Sequence, residues 1–350
     1  MRLDELDFHL PPDLIACQPV EPRDACRLLV LNRSTRQIEH RHFSDLPSCL
    51  KPGDLLVMNN AKVTPARIFV HRPENPREMI ELLLLDASDS VLCHALASPS
   101  RKLKPGGALL SRQTQARIRI LPRDNNEAWT LELEGASNGW RRLTETEGHM
   151  PLPPYILKKR GTRESLVEDR AWYQTTFAER DGAIAAPTAG LHFTPALLDR
   201  LRTSGIATTQ VFLKVSAATF LPVRTATLEE HPMGLETYDI PSAASQAIET
   251  AKSEKRRIIA VGTTVVRTLE SAIAGKPRLQ PGENETRLLI SPPHSFRLVD
   301  ALTTNFHLPR STLLALVYAF ADKELIRHAY DEAVKQHYRF YSYGDAMLIL

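Results

Sequence analysis

Residues able to move protons and to hold a nucleoside gather in three short segments that lie far apart in the chain. Ala185-Ala-Pro-Thr-Ala-Gly-Leu-His-Phe-Thr194 surrounds one hydroxyl, Thr188, and one imidazole, His192, with small residues, a proline and Gly190. The segment has no helical or strand period, and the bare backbone at Gly190 suits close approach to a ligand. Thr303-Thr-Asn-Phe-His-Leu-Pro309 repeats the mixture with Asn305 and His307, and Tyr341-Ser-Tyr-Gly-Asp-Ala-Met347 repeats it with Tyr343 and Asp345. Three such loops predict one composite polar site of the kind an enzyme uses. Imidazoles with an ordinary pKa of about 6.5 suit proton transfer at neutral pH, although a lone loop histidine also serves as structure. Asp345 can orient a histidine, bind an amine or cap a turn. Gly262-Thr263-Thr264 stands at an expected strand-to-helix turn, where free N–H groups hold an anion; a plain helix cap is the competing reading. Arg67 and Arg267 are candidate forks for a carboxylate or phosphate. For Arg267 an ion pair with Glu270, three residues on, competes.

Elements must bring these residues together. The first 65 residues read as proline-punctuated loops with strand-like Leu28–Leu31 and a turn at Pro52-Gly53 running into a strand to Met58. From 66 to 150 short strand-like runs recur at Ile80–Leu85, Val91–Ala97, Ala116–Ile120 and Trp129–Leu133. Turns fall at Pro105-Gly106-Gly107 and Asp124-Asn125-Asn126, and no amphipathic helix intervenes. That pattern predicts a small inserted barrel or sandwich. After 183 the alternation is βαβ-like. Helices are expected from Pro195 to Gly205 and at Ser242–Glu254, Val265–Ala274, Thr312–Ala321 and Glu324–Lys335. Strands are expected at Thr208–Val215, Arg257–Val261 and Arg287–Ile290, with Leu279–Glu285 a polar loop. The expected fold class is α/β: a large layered α/β domain (1–65 and 151–350) carrying an inserted small β-barrel domain (66–150).

Composition narrows the class. At 350 residues, 43% hydrophobic and 24% charged, the chain fits a soluble protein of two domains. No apolar run approaches the ~20 residues of a membrane span, and the acidic start does not resemble a signal peptide, so a cytoplasmic location is expected. Four cysteines, 17, 26, 49 and 93, form no Cys-x-x-Cys pair and predict free thiols without a metal site. The net charge of +3 permits a nucleic-acid partner without demanding one. Basic clusters at Arg101-Lys102-Leu103-Lys104 and Lys158-Lys159-Arg160-Gly161-Thr162-Arg163 are either phosphate contacts or solvated loops. No Walker loop, dinucleotide fingerprint or nucleophile elbow is present.

Taken in order along the chain, these segments resemble the S-adenosylmethionine:tRNA ribosyltransferase-isomerase family of the queuosine pathway. The resemblance runs from Asp7-Phe-His-Leu-Pro-Pro-Asp-Leu-Ile15 and Arg23-Asp-Ala-Cys-Arg-Leu-Leu-Val30 through Pro65-Ala-Arg67 and Pro151-Leu-Pro-Pro-Tyr-Ile156. It continues through the Thr188–His192 loop and Val266-Arg-Thr-Leu-Glu270 to Tyr338–Met347. It implies a large α/β domain with an inserted barrel. It also implies transfer and isomerisation of the S-adenosylmethionine ribosyl unit onto 7-aminomethyl-7-deazaguanine in the tRNA anticodon, releasing methionine and adenine. S-adenosylmethionine is then a substrate, tRNA a partner, and no prosthetic group or metal is required. The implied roles are His192 and His307 as proton carriers, Asp345 near the amine, Thr188 as a further catalytic candidate, and Arg67 or Gly262–Thr264 at an anionic end. Asn59, Gly190, Lys214, Thr263, Thr264, Arg267, Asn305 and Tyr343 are substrate-lining candidates, and Arg101, Lys102, Lys104, Lys158 and Lys159 face tRNA.

Several site motifs depart from the family pattern. Its Asn-Asp-Thr-Arg reads Asn59-Asn60-Ala61-Lys62, and its His-Val-Gly-x-Gly-Thr-Phe reads Lys214-Val-Ser-Ala-Ala-Thr-Phe220. Its second histidine in His-x-Met-His-x-Glu is Gly234. Val265 replaces a serine, and Ser98 replaces a lysine. Three readings follow: tolerated variants, a paralogue with another acceptor or chemistry, or a non-catalytic tRNA-binding relative.

Overall fold

Runs of β-branched and leucine residues with no polar interruption, such as Leu28–Leu31 and Ile258–Val261, have both faces to bury and therefore become inner strands. The structure is a computed structural model and describes residues 1–122, 128–135, 139–217 and 223–350. The expected turn at Asp124–Asn126 and the motif residues Ala218, Thr219 and Phe220 lie outside the described residues.

In chain order the strands and helices are β1 (Arg27–Leu31), β2 (Ile38–His42), α1 (Leu46–Cys49), β3 (Leu55–Asn59) and β4 (Ala61–Val63). Then come β5 (Arg67–Arg72), β6 (Asn75–Leu84), β7 (Leu92–Ser98), β8 (Ala108–Ser111), β9 (Arg117–Ile120) and β10 (Trp129–Leu133). They are followed by α2 (Gly139–Glu147), α3 (Pro154–Arg160), α4 (Asp169–Trp172), β11 (Arg180–Ala183) and α5 (Pro195–Thr203). The rest is β12 (Ala207–Leu213), β13 (Glu236–Ile240), α6 (Ser242–Ser253), β14 (Ile258–Val261), α7 (Thr263–Ile273), β15 (Gly282–Thr286), β16 (Ala301–Asn305), α8 (Thr312–Ala321), α9 (Lys323–Lys335) and β17 (Ala346–Ile349).

The chain divides into two units. One comprises 1–61, 174–180 and 186–350, the other 62–173 and 181–185. The larger unit is built on a nine-stranded sheet of order β15-β13-β12-β3-β14-β16-β17-β1-β2. Its centre is parallel, β12 to β3 to β14 to β16, and β17 enters antiparallel to β16. Every second residue of the central strands packs on one face: Leu28, Val30, Leu56, Met58, Ile259, Val261, Ala301, Ala346 and Leu348. They meet Ala189, Phe193, Leu197 and Leu201 from the 186–203 segment. Thr194 caps α5 by accepting from Leu197 N, with Pro195 at its first turn.

The smaller unit contains a closed antiparallel barrel, β10-β7-β6-β5-β8-β9. Strict alternation in β9 and β10 sends Ile118, Ile120, Trp129, Leu131 and Leu133 inward. The expected absence of a helix here is overturned by α2, whose Trp140 and Leu143 join the barrel core. Two apolar positions three apart are too few for a periodic signal, yet they suffice for a single buried face.

A second correction concerns 279–290. The strand is the polar Gly282–Thr286 and not Arg287–Ile290. As an exposed edge, β15 gains its hydrogen bonds from β13, and its charges deter further pairing. The apolar run after it is used for packing at Ile290 and for a carbonyl contact at Leu288.

Candidate functional site

The three chemically rich loops meet at Asn305, the last residue of β16. By strand alternation its side chain continues the row of Ala301 and Thr303 towards the 186–203 segment. Asn305 Oδ1 accepts from Thr188 Oγ1 at 2.8 Å, and its Nδ2 donates to the Tyr341 carbonyl at 3.1 Å and lies 3.1 Å from His192 Nε2. One amide thus ties the 188–192 turn, the end of β16 and the C-terminal loop. Tyr341 adopts φ 74°, a left-handed conformation costly for a side-chain-bearing residue, and is held in it by N–H donation to Phe306 O at 3.1 Å.

His192 ends the turn Thr188–His192, fully enclosed, with Cys26 Sγ 3.2 Å from Nδ1 and the Phe43 ring 5.0 Å away. Burial, aided by the Arg339 and Arg23 cations, pushes its pKa down to about 3, so the ring is neutral at pH 7. Burial also raises the Cys26 thiol far above its ordinary range, excluding a thiolate there. Arg23 donates to the Gln174 carbonyl at 2.6 Å and lies close enough to the buried Tyr343 for the two to interact electrostatically.

His307 is not beside His192. Its Nε2 meets Thr304 Oγ1 at 2.8 Å, and its N–H donates to Tyr330 Oη of α9 at 2.9 Å. Thr304 alternates with Asn305, so this ring belongs to the opposite face of the sheet. Burial lowers its pKa to about 3 as well. Asp345 is engaged by backbone: Oδ1 accepts from Arg27 N at 3.0 Å and Oδ2 from Arg339 N at 2.7 Å, locking the C-terminal loop onto β1. Gly190 has its free face filled, because a Cβ there would come within 2.7 Å of Phe177 Cζ and 2.9 Å of Thr175 Cγ2. Asn59 pins β3 to β12, its Oδ1 accepting from Ala61 N and Leu213 N, both at 3.1 Å.

At the carboxyl edge of the sheet, Gly262 (φ 92°) donates to the Thr303 carbonyl at 2.7 Å and opens α7 without a side-chain cap. Thr263 is buried in the first turn, and the hydroxyls of Thr264 and Thr303 are enclosed with no hydrogen-bond partner among the described residues. One turn further on, Arg267 reaches Glu236 Oε2 at 2.5 Å, and its Nε donates to Leu288 O at 3.2 Å. Glu270 instead accepts from Arg297 N and Leu298 N, which removes the i,i+3 pairing as an account of Arg267. Among the described residues Arg267 Nη2 is buried without a partner. Glu236 also accepts from Ser216 N at 3.1 Å, so the altered Lys214-Val-Ser216 stretch borders this ion pair. Among the described residues Lys214 Nζ has no hydrogen-bond or ion-pair partner. Val265 is buried apolar surface, Lys62 pairs with Asp181 at 3.3 Å, and Gly234 lies in the coil before β13.

In the smaller unit Arg67 is buried, with Nε 2.9 Å from Glu81 Oε1 and Nη2 donating to Leu152 O at 2.9 Å; its Nη1 lacks a partner among the described residues. Arg101 and Lys102 form a short turn in which Lys102 pairs with Glu78 at 2.9 Å, and Lys104 follows, exposed. Lys158 and Lys159 are in the last turn of α3, where cations oppose the helix dipole favourably. Sequence reasoning passed over Cys26, Arg23, Arg339 and Glu236. Each lay inside or beside a quoted motif, but only tertiary contact gives it a partner. Among the described residues no group of three or more His, Cys, Asp or Glu side chains could hold a metal ion, and no helix is long and apolar enough to cross a membrane.

A model of the queuosine biosynthesis protein family matches residues 3–349. The S-adenosylmethionine:tRNA ribosyltransferase-isomerase of Moorella thermoacetica is 45% identical over 350 residues, 100% of both chains. That of Rubrobacter xylanophilus is 46% identical over 100% of this chain and 98% of its own. A crystal structure of an S-adenosylmethionine tRNA ribosyltransferase from Thermotoga maritima superposes with a TM-score of 0.55 at 38% identity, covering 99% of this chain and 100% of that one.

Proposed function

The chain belongs to the queuosine biosynthesis family, and from that membership we propose how it acts as an S-adenosylmethionine:tRNA ribosyltransferase-isomerase. It is an enzyme that takes S-adenosylmethionine as substrate. It transfers and isomerises the ribosyl moiety onto 7-aminomethyl-7-deazaguanine in tRNA, giving epoxyqueuosine-tRNA, methionine and adenine.

The chemistry sets four demands, and groups around Asn305 can meet them. The sulfonium acidifies the adjacent ribose C–H, so a base must be positioned; His192, neutral at pH 7, is our candidate. The ribose hydroxyls need donors and acceptors, which Thr188 and Asn305 supply. The amino-acid carboxylate needs a positive end, and the uncapped start of α7 at Gly262–Thr264 offers N–H groups beside unpartnered hydroxyls. The acceptor amine must arrive uncharged, and the Arg23 and Arg339 cations near His192 disfavour an ammonium there. The meeting of the three loops on one amide is the observation that carries this reading.

The basic residues Arg101, Lys102, Lys104, Lys158 and Lys159 are our candidates for tRNA phosphates, and the enzyme works in the cytoplasm, where its tRNA is. The test combines purified protein, S-adenosylmethionine and tRNA carrying the aminomethyl-deazaguanine base. Adenine and methionine should appear only with that tRNA, and the tRNA should gain the ribosyl-derived mass. Adenine formed without tRNA would point to a paralogue with a small-molecule acceptor. Salt-sensitive tRNA binding without turnover would point to a binding relative.

A further inference from the structure

His192 is proposed above as the base, yet both its ring nitrogens are occupied. The Tyr341 carbonyl can only accept, so the Asn305 atom 3.1 Å from it must be the NH2 group. That same NH2 lies 3.1 Å from His192 Nε2, which must therefore be the unprotonated, accepting nitrogen. The neutral ring then carries its proton on Nδ1 and points it at Cys26 Sγ, 3.2 Å away. Thr188 Oγ1 holds the other end of the amide at 2.8 Å, so the amide orientation is fixed from three sides.

We propose that Asn305 is a positioning residue that masks the accepting nitrogen of His192 in the resting enzyme, and that the base is uncovered when a bound substrate oxygen takes over the Asn305 NH2. The inference rests on the reading of His192 as the base. A protonated His192 would place an N–H against the Asn305 NH2, and turning the amide over would set its oxygen against the Tyr341 carbonyl. The resting network therefore admits only the neutral ring. The charged and titratable groups around it act the same way or are already bound. Arg23 from the N-terminal segment and Arg339 from the C-terminal loop are cations that disfavour an imidazolium. Cys26 is a neutral thiol, Asp24 accepts from Thr194 Oγ1, and Asp345 is held by Arg27 N and Arg339 N. Phe43 adds an apolar wall. A masked ring resists idle protonation. Once released from Asn305 and solvated by a polar ligand it becomes a stronger base at the moment of use.

The test is nitrogen NMR of the full-length protein labelled at histidine, with His192 assigned by its loss in His192→Gln. The expected free-enzyme spectrum has His192 protonated at Nδ1 and hydrogen-bonded at Nε2. S-adenosylhomocysteine, which lacks the sulfonium, should shift the Nε2 resonance towards that of a free lone pair. A resting ring protonated on Nε2, or an Nε2 signal unmoved by the saturating analogue, overturns the masking proposal. Asn305→Asp cannot donate and should render His192 protonated near pH 7. Turnover should fall by about a hundredfold or more, and the acid limb of the rate profile should move to higher pH. Thr188→Ser should keep the wild-type pH profile and Thr188→Val should not. If His192→Gln retains full turnover, the base assignment falls by itself, while the nitrogen spectra still decide whether Asn305 masks the ring.

Discussion

At the scale of single residues, the proposed chemistry depends on one imidazole, His192, kept neutral by burial. Replacing His192 by Gln should lower turnover about 10²–10⁴-fold, the range for a lost acid–base group, while far-UV circular dichroism stays unchanged. Burial also links both histidines to stability. With folded values of about 3 for His192 and His307 against an unfolded value of about 6.5, the unfolded chain binds protons that the folded one refuses. Their contribution is complete above about pH 6.5 and declines as pH falls from there towards 3. Urea midpoints at pH 7.5 and 5 should show this, and His307→Gln should flatten the difference; an unaltered slope would contradict it. Residue types were readable in the sequence, because hydroxyls, imidazoles and an amide in small-residue loops stand out. What each one bonds was not. The sequence leaves Asp345 open to a histidine, an amine or a turn, and only the approach of Arg27 N and Arg339 N reveals it as a clasp.

At the scale of elements, glycines and one buried ion pair hold the loops in register. A Cβ at Gly344 would meet the Arg339 carbonyl oxygen at 2.4 Å, a backbone atom that cannot yield, whereas at Gly190 it would meet side chains at 2.7 and 2.9 Å. Gly344→Ala should therefore be the more destabilising in a thermal melt, with Gly190→Ala costing about 1–3 kcal/mol. Removing the carboxylate with Glu236→Ala should cost about 3–5 kcal/mol, because Arg267 would remain buried and unpaired; a loss below 1 kcal/mol in urea unfolding would show that water reaches the pair. Long periodic elements such as α6, α8 and α9 were legible because their apolar spacing is local. The strand β15 and the helix α2 were not. One is a polar edge defined by its neighbour, and the other a short helix defined by the barrel it covers.

At the scale of the whole molecule, the chain divides into two units, and the barrel cluster from Ala66 to Leu143 falls within 66–150. We propose that this segment is the inserted domain. Expressed alone, 66–150 should unfold cooperatively in urea, and a broad, non-cooperative transition would contradict that. The basic residues Lys158 and Lys159 should act through phosphate charge. Replacing both by Ala should weaken tRNA binding and reduce its salt slope by about two, one for each lost contact. The alternation of strands and helices made the two-part architecture readable early, since layering follows from hydrophobic period. The central claim is that the ribose of S-adenosylmethionine docks where three loops converge. A crystal structure of the enzyme with S-adenosylhomocysteine tests it most directly. The account predicts ribose oxygens within hydrogen-bond reach of Asn305 and Thr188, with His192 Nε2 released from the amide. A ribose bound elsewhere, with the Asn305–His192 contact intact, would contradict it.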